Sequence, residues 1–182
     1  YDYVRPITAI RYMSKMGQSS DPLLPRYHPH GMRLIPGFVE VISEDSSTIG
    51  ARHNHLAEHI GSIAVLSWTG KPENPETQFG GVDWILGTDW IPYQRETFVT
   101  PPFAGYISGH STFSRAAAEV LAKFTGSKFF PGGLGEHVAP ANDFLVFESG
   151  PTETVILQWA TYYDASDEAA MSRLYGGIHP SA

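Results

Sequence analysis

Residues 108–126 constrain the fold more than any other stretch of the 182-residue chain. Ser108-Gly109-His110-Ser111 leads into Thr112 to Phe124, where Phe113, Ala117, Val120 and Phe124 recur at three- and four-residue intervals, and Gly126 follows. This is the pattern of an amphipathic α-helix with a left-handed glycine stop. The N–H groups at the start of such a helix have no intrahelical partner and the dipole there favours negative charge, so this end can receive an anion. The serine hydroxyl adds a donor, and the histidine can exchange a proton near neutral pH. The same residues also suit an ordinary helix start, with Ser108 or Ser111 as N-cap and His110 on the surface.

The remaining elements are read around that helix. Arg5 to Met16 predicts a helix, with Pro6 in its first turn, Ile7, Ile10, Met13 and Met16 on shared faces, and Gly17 at its end. Gln18 to Gly37 carries Pro22, Pro25, Pro29 and Pro36, too many for regular structure, and predicts a long ordered excursion. Val39–Ile42 is ambiguous, Arg52–Ile60 leans to helix, Ser62–Trp68 is β-like, Lys71–Gly81 reads as a loop and Val82–Pro102 as aromatic and irregular. Phe144–Glu148 and Thr154–Gln158 predict two short strands joined through Ser149-Gly150-Pro151, and Asp164 is the expected cap of a last helix ending near Tyr175.

Composition narrows the partners. Apolar residues make up 42% of the chain, enough for a core, while twelve basic against nineteen acidic residues leave a net charge of −7, which argues against nucleic acid. No apolar run approaches the ~18 residues of a membrane-spanning helix, so the expectation is a soluble chain. The absence of cysteine excludes disulfides, thiolate metal sites and cysteine nucleophiles and leaves the compartment open.

Two further motifs carry cations. In Ser172-Arg173-Leu174-Tyr175-Gly176-Gly177-Ile178-His179 the arginine falls in a last helical turn, and the Gly-Gly break would let the chain turn back and bring His179 beside it. Arg5-Pro6 opens the first helix. Each has an ordinary reading alone, as a helix-end charge or a helix-opening proline. Together with Ser108-Gly109-His110 they supply two arginines, two histidines, a hydroxyl and a glycine N–H with no carboxylate inside the motifs, a set suited to a tetrahedral oxyanion.

In this order the three blocks resemble the signature of the vanadium-dependent haloperoxidases and type 2 phosphatidic-acid phosphatases: a lysine, six residues and Arg-Pro; Pro-Ser-Gly-His; Ser-Arg, five residues and His. Thr100-Pro101-Pro102-Phe103-Ala104-Gly105-Tyr106, Ser111-Thr112-Phe113-Ser114 and Tyr162 to His179 resemble the haloperoxidase-like branch. The resemblance implies a mainly α fold, a helix bundle of the haloperoxidase and acid-phosphatase type with long loops and a minor β element. It implies that Arg5, Ser108, Gly109 and Arg173 bind the equatorial oxygens of vanadate, or of phosphate in the same site. His179 would be the axial group, on vanadium in a haloperoxidase or attacking phosphorus in a phosphatase, and His110 the acid–base residue. Phe103 would lie near the halide pocket.

Two departures are visible. Ile107 replaces the proline before Ser-Gly-His, and the family's lysine would fall before Tyr1. Residues 1–182 are therefore expected to form a single haloperoxidase-like domain, a fragment lacking N-terminal helices and the C-terminal end, with a second chain or fragment supplying the lysine. The leading function is vanadate-dependent oxidation of halide by hydrogen peroxide to a hypohalous species, with halide, peroxide and a small organic acceptor as partners. The alternatives are hydrolysis of a phosphate ester through a phosphohistidine at His179, and a non-catalytic relative that binds an anion or a partner chain. Export to the periplasm or outside the cell is compatible with the composition.

Other side chains are read more plainly. His53, His55 and His59, with Glu58 nearby, are expected on a solvated helix face rather than around a metal, and His28-Pro29-His30 in a surface or site-lining loop. Trp84, Trp90, Tyr93 and Phe98 are expected as core or rim packing, and Asp89 or Asp143 could orient His110.

Overall fold

The computed structural model describes residues 4–94, 100, 105–143 and 148–180. It divides into two compact units. A sheet unit comprises residues 4–70 and 80–93, and a hairpin unit comprises the described parts of 71–79 and 94–180.

The sheet unit opens with helix α1, Pro6–Met16. Pro6 occupies the first turn, where a missing N–H costs nothing, and the Gly17 N–H closes the other end on Met13 O at 3.1 Å. The proline-rich excursion that follows is ordered by Gln18, whose side chain is fully buried. Its Nε2 donates to Asp21 O at 2.6 Å and Leu24 O at 3.3 Å, and its Oε1 accepts from Ser20 N and Asp21 N, both at 2.9 Å. Every hydrogen-bonding capacity of the amide is used, which is what permits its burial. Gly31 passes so close to Gly17 that a Cβ there would lie 2.6 Å from Gly17 O.

The core of this unit lies on a three-stranded antiparallel sheet, β1 Val39–Val41, β2 Ile63–Trp68 and β3 Val82–Leu86, with β2 in the middle. Register pairs Val39 with Val65 and Ala64 with Leu86. Val39, Ile63 and Val65 pack on one side with Trp90, and Ile42, Ala64 and Trp84 on the other with Leu56. Two expectations need correction here. Val82–Leu86 is a strand rather than irregular chain, because its neighbour β2 supplies the ladder that five residues cannot advertise alone. Residues 54–59 form two 3₁₀ turns kinked at Leu56, not an α-helix.

The hairpin unit is built on α2, Gly109–Thr125, and α3, Tyr162–Tyr175, which pack along one another. Ser108 is the N-cap of α2, its Oγ accepting the Ser111 N–H at 3.3 Å, and Gly126 ends the helix at φ +71°. Between the helices lies a two-stranded antiparallel ribbon, β4 Gly135–Ala139 and β5 Val155–Trp159, paired Gly135 to Trp159. Thr154–Gln158 was expected to pair with Phe144–Glu148; its partner is instead 135–139, and 144–147 lie outside the described residues. The cap of α3 is Thr161 rather than Asp164. Its Oγ1 accepts the Asp164 N–H at 3.1 Å while Asp164 Oδ2 accepts the Thr161 N–H at 2.8 Å, a reciprocal capping box.

The apolar stripe of α2 does not form the core its spacing suggests. Phe113, Val120 and Phe124 are 79%, 65% and 87% exposed, and the buried residue of this helix is Ala118. The expected mainly helical architecture thus holds in part: among the described residues three α-helices are accompanied by two sheets, and one of those sheets organises a unit of its own.

Candidate functional site

The hairpin unit brings the second and third motifs to one end. Tyr162 N–H donates to Lys128 O at 3.0 Å and Phe129 bridges Thr161, so the start of α3 adjoins the end of α2. The helices therefore run antiparallel, and the end of α3, with Arg173, returns towards the start of α2, with Ser108, Gly109 and His110.

The last turn of α3 closes in a way that fixes His179. Gly177 adopts φ +67°, the left-handed conformation glycine accepts without a Cβ penalty. Its N–H donates to Leu174 O at 2.9 Å and that of Ile178 to Arg173 O at 3.1 Å, the paired bonds of a Schellman turn. Ile178 is buried beneath it, and the His179 N–H also reaches Arg173 O, at 3.4 Å. The Gly-Gly break thus folds the chain back onto the arginine, with Gly177 making the left-handed step.

His179 Nδ1 lies 2.6 Å from Gly105 O. A carbonyl only accepts, so Nδ1 carries the proton and Nε2 of the neutral ring keeps its lone pair. Gly105 is buried and sits three residues before Ser108. Sequence reasoning missed it, since a backbone acceptor leaves no side-chain trace; the signal was its place in the segment before Ser-Gly-His. Arg173 Nε is buried with no hydrogen-bond partner among the described residues. A guanidinium N–H so placed stabilises a bound anion strongly, because leaving it unsatisfied is costly.

Ser108 is half-buried, while Gly109 and His110 are exposed, and a Cβ at Gly109 would meet nothing within 4 Å. His110 makes no hydrogen bond to another described residue, so neither proposed orienting carboxylate is engaged with it. Arg5 belongs to the sheet unit, where it is the N-cap residue of α1, is buried, and accepts the Ala9 N–H on its carbonyl at 3.0 Å. Burial pulls its pKa down from the ordinary guanidinium value, as desolvation of a cation must. Phe103 and Phe98 lie outside the described residues.

The histidine-rich turn is solvated at His55, Glu58 and His59, as expected, but not at His53. His53 is fully buried, Nδ1 2.9 Å from Ser46 Oγ, its ring edge-on to Trp84 at 4.6 Å and its Nε2 3.7 Å from Glu40 Oε2. Glu40 is held by Arg52 at 2.7 Å, and His55 Nε2 donates to Trp84 O at 2.7 Å. No group of three metal-ligating side chains occurs among the described residues. Trp84 and Trp90 are core residues, as expected.

The family model described as the VCPO second helical-bundle domain matches residues 1–182. The chain belongs to that family. Two solved structures are similar to this VCPO-family domain, the holo and the apo forms of a bacterial vanadium-dependent chloroperoxidase, each with a TM-score of 0.51 at 20% identity. The alignment covers 64% of this chain and 22% of the chloroperoxidase chain, and at that identity it establishes fold rather than chemistry. Among curated proteins none matches the sequence. No described helix is long and apolar enough to cross a membrane.

Proposed function

We propose that this VCPO-family domain carries the vanadate-binding residues of a vanadium-dependent haloperoxidase that oxidises halide with hydrogen peroxide. The observation that supports it most is the hydrogen bond from His179 Nδ1 to Gly105 O together with the buried Nε of Arg173, which has no partner among the described residues. One group is an imidazole whose tautomer the Gly105 carbonyl fixes, and the other is a buried cationic donor.

The residues suit an oxyanion. Arg173 would neutralise its charge, and the Ser108 hydroxyl and Gly109 N–H would donate to its oxygens at the start of α2. His179 would hold it through Nε2, its ring oriented by Gly105. Bound vanadate would supply Lewis-acid activation of peroxide towards attack by halide. His110, which is exposed, would be the acid–base residue towards peroxide. Arg5 is assigned to the same anion, and Phe103 to the halide pocket, by motif resemblance alone. Residues 1–182 are read as one domain of a longer enzyme, whose remainder or a second chain would supply the family's lysine.

The test is orthovanadate binding by calorimetry, followed by bromide-dependent peroxide consumption titrated with vanadate after chelation. The expected result is binding that phosphate competes away, that His179→Ala abolishes and that His110→Ala retains while losing turnover. Hydrolysis of a phosphate ester, blocked by vanadate and without bromide oxidation, would replace this reading with a phosphatase. Anion binding unchanged in His179→Ala, with no turnover of either kind, would reduce the domain to a non-catalytic binder.

A further inference from the structure

The buried residues of α2 and α3 are few and mostly small. Ala118 on α2 and Ser166 on α3 are 2% and 4% exposed, and the one large buried side chain, Tyr162, packs at the far end against Phe130, ring centres 4.6 Å apart. Small residues let helices approach closely but offer no large side chain to interlock in a groove, so they resist axial sliding weakly. Something else must hold the register that sets Ser108 and Gly109 against Arg173 and His179.

A polar cluster flanks these two residues symmetrically. Arg115 and Glu119 stand three before and one after Ala118; Tyr163 and Asp167 stand three before and one after Ser166. Arg115 Nη1 donates to Asp167 Oδ1 at 3.2 Å, and its guanidinium carbon lies 4.5 Å from the centre of the Tyr163 ring. The Tyr163 hydroxyl donates to Glu119 Oε2 at 3.1 Å, and Arg115 Nε lies 3.7 Å from Glu119 Oε1. Each of the four groups touches a partner on the opposite helix or one that does. Single exposed ion pairs hold little, but a planar guanidinium stacked on a ring and forked between two carboxylates has one geometry that satisfies all its contacts.

We propose that Arg115 is a positioning residue: with Glu119, Tyr163 and Asp167 it fixes the axial register of α2 against α3, and thereby the spacing of the anion-binding groups at their shared end. This rests on the vanadate reading of that end for its functional consequence, but not for the register itself. Arg115 is half-exposed and touches none of the site residues, so its replacement removes none of the site's own side chains.

The chain's lack of cysteine permits a direct test on the full 182 residues. Nitroxides at Phe124→Cys and Tyr175→Cys, exposed positions at opposite ends of the hairpin, would stand about 20 Å apart along the axis, and any slip changes that distance directly. Pulsed electron resonance is expected to show a shifted or broadened distance in Arg115→Ala, a smaller change in Tyr163→Phe, and only partial recovery in Arg115→Lys, whose ammonium keeps the charge without the fork. Vanadate affinity should weaken by about tenfold in Arg115→Ala and recover only in part in Arg115→Lys, since loosening a preorganised site by a fraction of an ångström has effects of that order. An unchanged distance distribution in Arg115→Ala and Tyr163→Phe overturns the proposal. A shifted distance in a protein whose unsubstituted form binds no vanadate would leave the register assignment standing and remove the anion reading instead.

Discussion

The two units solve opposite problems with the same kind of residues. In the sheet unit large apolar side chains such as Ile42 and Ile63 are sealed in, and polar groups that go with them, Gln18 and His53, are buried with partners for most of their capacity. In the hairpin unit the large apolar residues of α2 face outward, the interior is small, and order concentrates at the end where Gly105, Arg173 and His179 meet. Stability is invested in the first and geometry in the second. A site held by capping, a Schellman turn and one imidazole–carbonyl bond needs little core beneath it.

The sharpest way to break this contrast is to substitute a structural residue in each unit in turn. Ile63→Ala should cost about 2–5 kcal/mol, read as a fall in urea midpoint, because a 2% exposed side chain leaves a cavity. Next, Gln18→Leu should cost about 2–3 kcal/mol by stranding the backbone groups of Ser20, Asp21 and Leu24, with proteolysis of residues 18–37 as a second readout. In the hairpin unit Gly177→Ala should cost only about 1 kcal/mol for a residue at φ +67°, yet weaken vanadate binding far more than Ile63→Ala does, since it displaces His179.

A pH titration separates the units without substitution. Burial, opposed by the Glu40 carboxylate and helped by the charges of Arg52 and His55, holds the His53 pKa below the ordinary imidazole value of 6.5. The unfolded chain therefore takes the proton first. The stabilisation is complete above that value and is lost as pH falls through it towards the folded-state pKa. The urea midpoint should drop between pH 7.5 and 5, and His53→Gln should flatten the drop. The smallest effect is expected at Phe124→Ser, within about 0.5 kcal/mol either way, because the side chain is 87% exposed.

What could be read from the sequence was what neighbours in sequence decide. Pro6 opening α1, Ser108 capping α2, Gly126 stopping it and the Gly-Gly turn at the end of α3 act within a few residues, and each was legible. β3 and β4 were missed because a five-residue strand exists only through its ladder, supplied from outside its own segment. The burial of His53 was illegible for the same reason: Trp84 and Glu40 cover it from thirteen or more positions away. The exposure of Phe113 and Phe124 shows the converse, that an amphipathic period marks a face able to be covered and does not say that it is. At the candidate site the charged and nucleophilic groups announced themselves as motifs, while Gly105, which orients one of them through a carbonyl, could not.

The Gln18-centred excursion has a practical consequence for handling the protein. Leu23, Leu24 and Tyr27 stand in solvent like an invitation to a chymotrypsin-like enzyme. Cleavage requires a stretch of chain to straighten into the enzyme's cleft, and here prolines and the buried amide resist that straightening from both sides. The segment should survive digestion as an uncut landmark, and its first nick would report that Gln18 had let go.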